Sequence, residues 1–164
     1  MGIRFVHSRR WVLTALVSAS LVVAAAARPS QTSPRMMILK NAGCTCCDRW
    51  AAHLERLGFD TQIVITDTLP AAFASHGVVP AHQSCHLGLV EDYVVVGHVP
   101  GEEVLRLLED RSEVLGITVP GMPVGSPGME VAGLRASEYE VLLIVEEGVV
   151  ATTARYRGTT RLQE

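Results

Sequence analysis

Past residue 35 the chain alternates between short apolar runs and helical spacing. Met36-Met37-Ile38-Leu39-Lys40 is a brief apolar run that predicts a buried strand, and Asn41-Ala42-Gly43 predicts a turn after it. From Cys47 to Leu57 the apolar positions Trp50, Ala51, Leu54 and Leu57 recur at intervals of three and four, one face of a helix that Gly58 stops. Thr61–Thr66 is rich in β-branched residues and predicts the next strand. Asp67-Thr68-Leu69-Pro70 opens a shorter helix reaching about Ser75, with Gly77 beyond it. Ser84–Val90 and Tyr93–Gly97 are apolar runs joined by Glu91-Asp92, the pattern of a hairpin. Pro100-Gly101-Glu102-Glu103 then begins a helix carrying Val104, Leu105, Leu107 and Leu108.

This order, βαβ-α-ββ-α, predicts a thioredoxin-like mixed α/β sheet, with a right-handed parallel crossover between the first two strands. Residues 119–130, VPGMPVGSPGME, are too rich in Pro and Gly for regular structure and predict a Met/Gly/Pro loop. Tyr139–Glu146 and Val149–Tyr156 flank Glu147-Gly148 and predict a second hairpin that extends or covers a sheet edge.

The pattern before residue 36 is different. Arg4, Arg9 and Arg10 form a basic head, Trp11–Ala27 is an uncharged apolar run, and Ala25-Ala26-Ala27 offers small residues for cleavage. This layout predicts a secretory signal peptide over residues 1–27. A membrane anchor is the competing reading, but the run sits at the short limit for a span. The Ser8-Arg9-Arg10 stretch also resembles a twin-arginine signal, leaving two export routes open. Residues 28–35 read as a polar linker and 36–164 as one domain. Export places the domain in the periplasm, with no membrane association once the signal is cleaved. The whole chain carries −3, and residues 1–27 hold three Arg and no acid, so the remaining 137 residues carry −6. That balance argues against nucleic acid and anionic membrane as partners.

Three of the four cysteines lie within four positions, Cys44, Cys46 and Cys47. Cys44 and Cys47 have CxxC spacing at a strand-to-helix junction, where backbone N–H groups and the helix dipole favour thiolate. A disulfide redox pair needs only those two, and a third sulfur beside it invites wrong pairings during exchange. Several sulfurs facing soft metal ions would use all three, because thiolates select Cu(I), zinc or iron–sulfur clusters. The strand from Ser84 should run antiparallel to the strand ending at Lys40, which brings Cys85 to the cysteine turn. The next strand returns His98 to the same sheet end.

His86 reaches the same point as Cys85 only if residue 85 is still in the turn, since strict alternation sends neighbours to opposite faces. His86 and His98 are therefore expected as ligands or as hydrogen-bond partners that orient ligands. His53, His76 and His82 read as ordinary solvated histidines. Pro80 is the candidate for a cis-proline facing the redox pair. Met122 and Met129 carry soft thioethers that suit Cu(I), but they are read as plugs holding the Gly/Pro loop onto the domain, with the loop as a lid over the site as the alternative. Asp48 and Glu130 are nearby acids.

The segments CTCCDRW, SCHLGLVEDYVVVGHVP and VPGMPVGSPGME, in that order, resemble the CopG-type copper-resistance proteins of bacteria, over about residues 36–150. The resemblance implies a thioredoxin-like fold, export, and thiolate-bridged copper held by Cys44, Cys46, Cys47 and Cys85. His86 and His98 match motif positions as well. Residues three apart on a helix rise only ~4.5 Å, so several sulfur-bridged Cu(I) ions suit the cluster better than one. The expected function is copper binding in resistance or homeostasis, with other envelope copper-handling proteins as further partners and a copper-dependent oxidoreductase role as an extension. Two readings compete with it. One is a thiol-disulfide oxidoreductase in which Cys44 attacks and Cys47 resolves; the other is a structural zinc domain.

Overall fold

The computed structural model describes residues 33–145, 148 and 150–163. The expected signal segment and all but the last residues of the linker lie outside these. Among the described residues one eight-stranded mixed sheet has the order β2-β1-β3-β4-β5-β6-β7-β8. Its strands are β1 (Arg35–Lys40), β2 (Asp60–Ile65), β3 (His86–Val90), β4 (Tyr93–Val96), β5 (Gly116–Thr118), β6 (Glu138–Ile144), β7 (Val150–Arg157) and β8 (Thr160–Arg161). The helices are α1 (Thr45–Arg56), α2 (Leu69–Ser75) and α3 (Gly101–Asp110).

The first two strands are parallel and joined through α1, as the pattern predicts. β3 runs antiparallel to β1, with Lys40 opposite His86. β3 and β4 form the predicted hairpin around Glu91-Asp92, and Glu91 takes a positive φ there. β6 and β7 are the second predicted hairpin, and they continue the sheet through β5 rather than covering it.

Alternation divides the core between two faces. Met36 and Ile38 of β1, Val95 of β4 and Ile117 of β5 pack with Trp50 and Leu54 of α1 and with Val104 and Leu107 of α3. Leu87, Val94, Val96 and Ile144 point the other way and pack with Leu69 and Phe73 of α2. Trp50 is fully buried, and its indole N–H donates to the Val99 carbonyl at 2.8 Å. Gly88 makes room for it: a Cβ there would lie 3.2 Å from the Trp50 ring and 2.8 Å from the Met36 sulfur. So α1 can lie flat on the sheet, which sets the depth at which its cysteine-bearing first turn meets β3.

The structure departs from the sequence expectations at element ends. β3 starts at His86, not Ser84, and β4 ends at Val96, which leaves Cys85 and His98 on flanking backbone. β5 and β8 were not anticipated. They have three and two residues, too few for a period to show. Pro80 is not cis: the described residues contain no cis peptide, and Pro80 opens a 3-10 turn, Pro80–His82. Proline fits there because the first residues of such a turn need no N–H donor.

Candidate metal centre

The end of β1 and the start of β3 lie side by side, and the chain leaves β1 through Asn41-Ala42-Gly43 into α1. Cys44 caps α1 from just outside, and Cys46 and Cys47 occupy its first turn. The Lys40 side chain is buried; its ammonium donates to the Cys44 carbonyl at 3.0 Å and pairs with Asp48 at 2.5 Å. The cysteine turn thus lies at the unpaired N–H groups of a helix start and is tied to the end of β1 through the Lys40–Asp48 pair.

Four sulfurs converge at this point. Cys44 and Cys47 are joined as a disulfide, with Cα atoms 5.5 Å apart. Cys46 and Cys85 are free thiols. The Cys46 Sγ lies 3.4 Å from that of Cys44 and 4.0 Å from that of Cys85, and the Cys47 Sγ lies 3.7 Å from that of Cys85. Cys47 is fully buried, whereas Cys44, Cys46 and Cys85 are each partly exposed, so the cluster opens toward solvent on one side.

Two imidazoles close the other side. The His98 Nε2 stands 3.1 Å from the Cys85 Sγ and the His86 Nδ1 stands 3.3 Å from it. Both rings are fully buried and meet edge to face, with centroids 5.1 Å apart; His86 also lies against Trp50 at 4.3 Å. Cys85 precedes the first residue of β3, so it escapes the alternation that would turn it away from His86. His98 Nδ1 donates to the Pro127 carbonyl at 2.8 Å, which fixes the tautomer and leaves Nε2 as a lone pair aimed at Cys85. The single Cys85 S–H then donates to His98, and the same sulfur accepts from His86 Nδ1–H. His86 Nε2 is left buried without a partner.

Burial, reinforced by the neighbouring Cys46, pushes the Cys85 thiol up to about 12. Burial likewise lowers His86 to about 3, and it lowers His98 against the opposing pull of the Pro127 carbonyl. Both imidazoles are therefore neutral at ordinary pH, the form that coordinates cations.

The Pro/Gly segment 119–130 packs beside the site. Besides the His98–Pro127 bond, the Arg49 Nε donates to the Gly128 carbonyl at 2.8 Å, and the Ser84 hydroxyl donates to the Gly121 carbonyl at 2.5 Å. Gly128 has φ +84°, and a Cβ on it would lie 2.7 Å from the Cys46 carbonyl and 2.8 Å from the Trp50 nitrogen. Only glycine lets the loop lie this close to the backbone of α1. Met122 does not plug the loop, being 54% exposed, whereas Met129 is partly buried.

His53 departs from the solvated reading: its ring is mostly buried, and Nε2 accepts the Gly101 N–H at 3.0 Å at the start of α3. His82 is partly buried, with Nδ1 unpartnered, and His76 bonds the Ala72 carbonyl of its own helix at 2.9 Å. Asp48 is engaged by Lys40, and Glu130 is exposed.

Lys40, Arg49 and the Pro127 carbonyl are supporting groups that sequence reasoning missed. A lysine closing an apolar strand was the one available signal, since loop carbonyls leave no mark in a sequence.

The donor set is chemically consistent. Three sulfurs come from the start of α1, and a fourth sulfur and two neutral imidazoles come from the start of β3 and the backbone flanking β3 and β4. The four sulfurs are mutually within 4.8 Å, as are the donor atoms of Cys85, His86 and His98. Such a set suits a soft or borderline cation, and the unpartnered His86 nitrogen marks a place that the protein's own polar groups do not complete. Among the described residues no helix is long and apolar enough to cross a membrane.

Residues 82–129 match the family model described as "Protein of unknown function, DUF411". No curated protein sequence matches the chain. Two solved structures are similar to it over 76% of its length and 98% of theirs, each with a TM-score of 0.71. They are "Copper resistance protein copG- Form 2", 35% identical, and "Copper resistance protein copG- Form 1", 36% identical.

Proposed function

Since the chain belongs to the CopG-type copper-resistance family, we propose that it is an exported protein that takes up Cu(I) as cargo in the periplasm, within copper resistance or homeostasis. The observation that carries this reading is the meeting of Cys44, Cys46, Cys47 and Cys85 within 4.8 Å. Cuprous ion is soft and prefers thiolate, so four sulfurs this close suit it, as bridged ions where adjacent cysteines of one helix turn share them.

Copper binding by all four sulfurs requires the Cys44–Cys47 disulfide to be opened first. Two electrons and two protons from an external dithiol convert it to two thiols, and the donor leaves as its own disulfide. The start of α1 then offers its free N–H groups to the sulfurs of its first turn. His98, held by the Pro127 carbonyl, and His86 add nitrogen donors behind Cys85. The helix-start position and the strand order β2-β1-β3-β4, with α1 and α3 on one face and α2 on the other, also support a thioredoxin-like reading of residues 35–110. Other copper-handling proteins of the envelope are the natural donors and acceptors of the cargo.

Anaerobic titration of the reduced protein with Cu(I) against a cuprous chelator tests this. More than one tightly held ion per chain is expected, and failure to compete with the chelator would overturn the reading. A reversible copper couple in voltammetry of the loaded protein would extend the function to an oxidoreductase, and its absence would leave storage or delivery.

The disulfide itself favours a second reading, thiol-disulfide exchange with the partly exposed Cys44 as the attacking sulfur and the buried Cys47 as its partner. Replacing Cys46 and Cys85 by Ser separates the two. Exchange activity that persists while Cu(I) binding collapses supports the second, whereas parallel loss of both supports a single four-sulfur function.

A further inference from the structure

Lys40 closes β1 on the same sheet face as Met36 and Ile38, the face that α1 covers, and it is 4% exposed. An apolar side chain would suit that position without electrostatic cost, whereas a buried ammonium is costly unless it is paired and hydrogen-bonded. Lys40 meets both conditions within the cysteine turn. Its Nζ donates to the Cys44 carbonyl just before α1 and pairs with Asp48, which follows Cys47 in the first turn. That pairing spends the lysine's charge on Asp48, so what it supplies to the neighbouring sulfurs is position.

The body of α1 is anchored by Trp50 and Leu54, but its start has few ties. Asn41, Ala42 and Gly43 are exposed, and α1 has no side-chain cap. The turn's own backbone bond, from the Cys44 N–H to the Asn41 carbonyl, is long at 3.4 Å. The other firm tie is the Cys44–Cys47 disulfide, which fixes Cys44 to the helix. Reduction removes that tie. Lys40 then links Cys44 and Asp48 to a point of the sheet held from both sides, opposite Ile65 of β2 and His86 of β3.

We propose that Lys40 is the positioning residue of the cysteine turn: with Asp48 it forms a non-covalent staple that holds Cys44 and the start of α1 against the sheet when the disulfide is open. The staple duplicates the disulfide in the oxidised protein and replaces it in the reduced one. It therefore stabilises the reduced form more than the oxidised form, which makes the disulfide easier to open. The same two electrons and two protons from an external dithiol open it with or without the staple; only the equilibrium moves. The inference rests on the proposed function only in that the reduced form is the working one; the staple stands on its own contacts.

The test measures the reduction potential of the Cys44–Cys47 couple in the full chain. The protein is equilibrated anaerobically in thiol–disulfide buffers and read by alkylation and mass, two labels when the disulfide is closed and four when it is open. Lys40→Met fills the same space under α1 without the two contacts. It should favour the disulfide by at least about tenfold, the size of one charge-assisted hydrogen bond, which is a potential more negative by ~30 mV. Asp48→Asn, on a half-exposed side chain, should shift it in the same direction by less. A lysine acting through its charge predicts the opposite sign for Asp48→Asn, because freeing that charge favours thiolate. No shift in Lys40→Met, or shifts of opposite sign in the two variants, overturns the proposal. Urea midpoints check it independently. Lys40→Met should lower that of the reduced protein more than that of the disulfide protein, and equal losses would mark an ordinary core contact and overturn the staple. Neither readout uses copper. Wild-type protein that shows these shifts but takes up no Cu(I) removes the cargo reading and leaves the staple; Cu(I) uptake with no shift does the reverse.

Discussion

Two buried polar clusters lie at different parts of the domain, and they are finished differently. Glu103 of α3 is 4% exposed, and its carboxylate accepts from the Tyr156 hydroxyl at 2.6 Å, from Arg161 at 3.1 Å and from Arg106. Everything it needs is supplied by the protein, across α3, β7 and β8. The cluster at the start of α1 has equally buried members but is not closed. Cys85 spends its one hydrogen on His98, His86 Nε2 has no partner, and two thiols remain free. A buried polar group without a partner costs roughly 1–3 kcal/mol, so a fold that retains one needs a reason. The satisfied cluster reads as a tie between α3 and the C-terminal strands, and the unfinished one reads as a place for something that arrives.

If that contrast is right, the two clusters respond oppositely to substitution. The largest effect belongs to Cys46→Ser with Cys85→Ser: Cu(I) affinity of the reduced protein should fall by more than ~100-fold, beyond what loss of an outer partner does, with little change in the urea midpoint. Glu103→Ala should reverse the pattern. It strands the buried Tyr156 hydroxyl and releases two arginines that water can take back, so a cost of about 2 kcal/mol in urea unfolding is expected, with Cu(I) affinity unchanged. A matching loss of copper affinity would show that the two regions are not independent.

Acid sharpens the comparison next. His86 has a folded value of about 3 against an ordinary 6.5, and His98 is lowered too, so the unfolded chain takes up protons first. The part due to His86 is fully present above pH 6.5 and is lost as pH falls toward 3, by up to ~1.4 kcal/mol per pH unit, and His98 acts in the same direction. Urea midpoints of the metal-free protein at pH 7, 6 and 5 check this, and a flat profile would contradict the buried, neutral imidazoles. The smallest effect is that of Trp50→Phe, which keeps the ring against His86 but removes the N–H to Val99, at a cost of about 1 kcal/mol.

The same contrast explains how far the sequence could be read. The cysteine cluster was legible because three cysteines in four positions have few uses, and because Cys85 and His98 could be placed by strand direction alone: an antiparallel β3 must begin where β1 ends. The Glu103 cluster was not legible. It joins residues up to 58 apart in the chain through β7 and β8, and β8 is two residues long with no pattern. β5 was hidden for the same reason, since Gly116-Ile117-Thr118 contains one apolar side chain. Pro80 was misread because proline fits the start of a 3-10 turn as well as a cis bond, and spacing cannot separate the two. His53 looked like a surface helix residue because nothing in its own segment announces the Gly101 N–H that packs against it.

The most direct test of the central claim is X-ray absorption on the copper-loaded, reduced protein. The account predicts a first shell dominated by sulfur, with copper–copper scattering from bridged ions. A first shell made only of nitrogen and oxygen would contradict it.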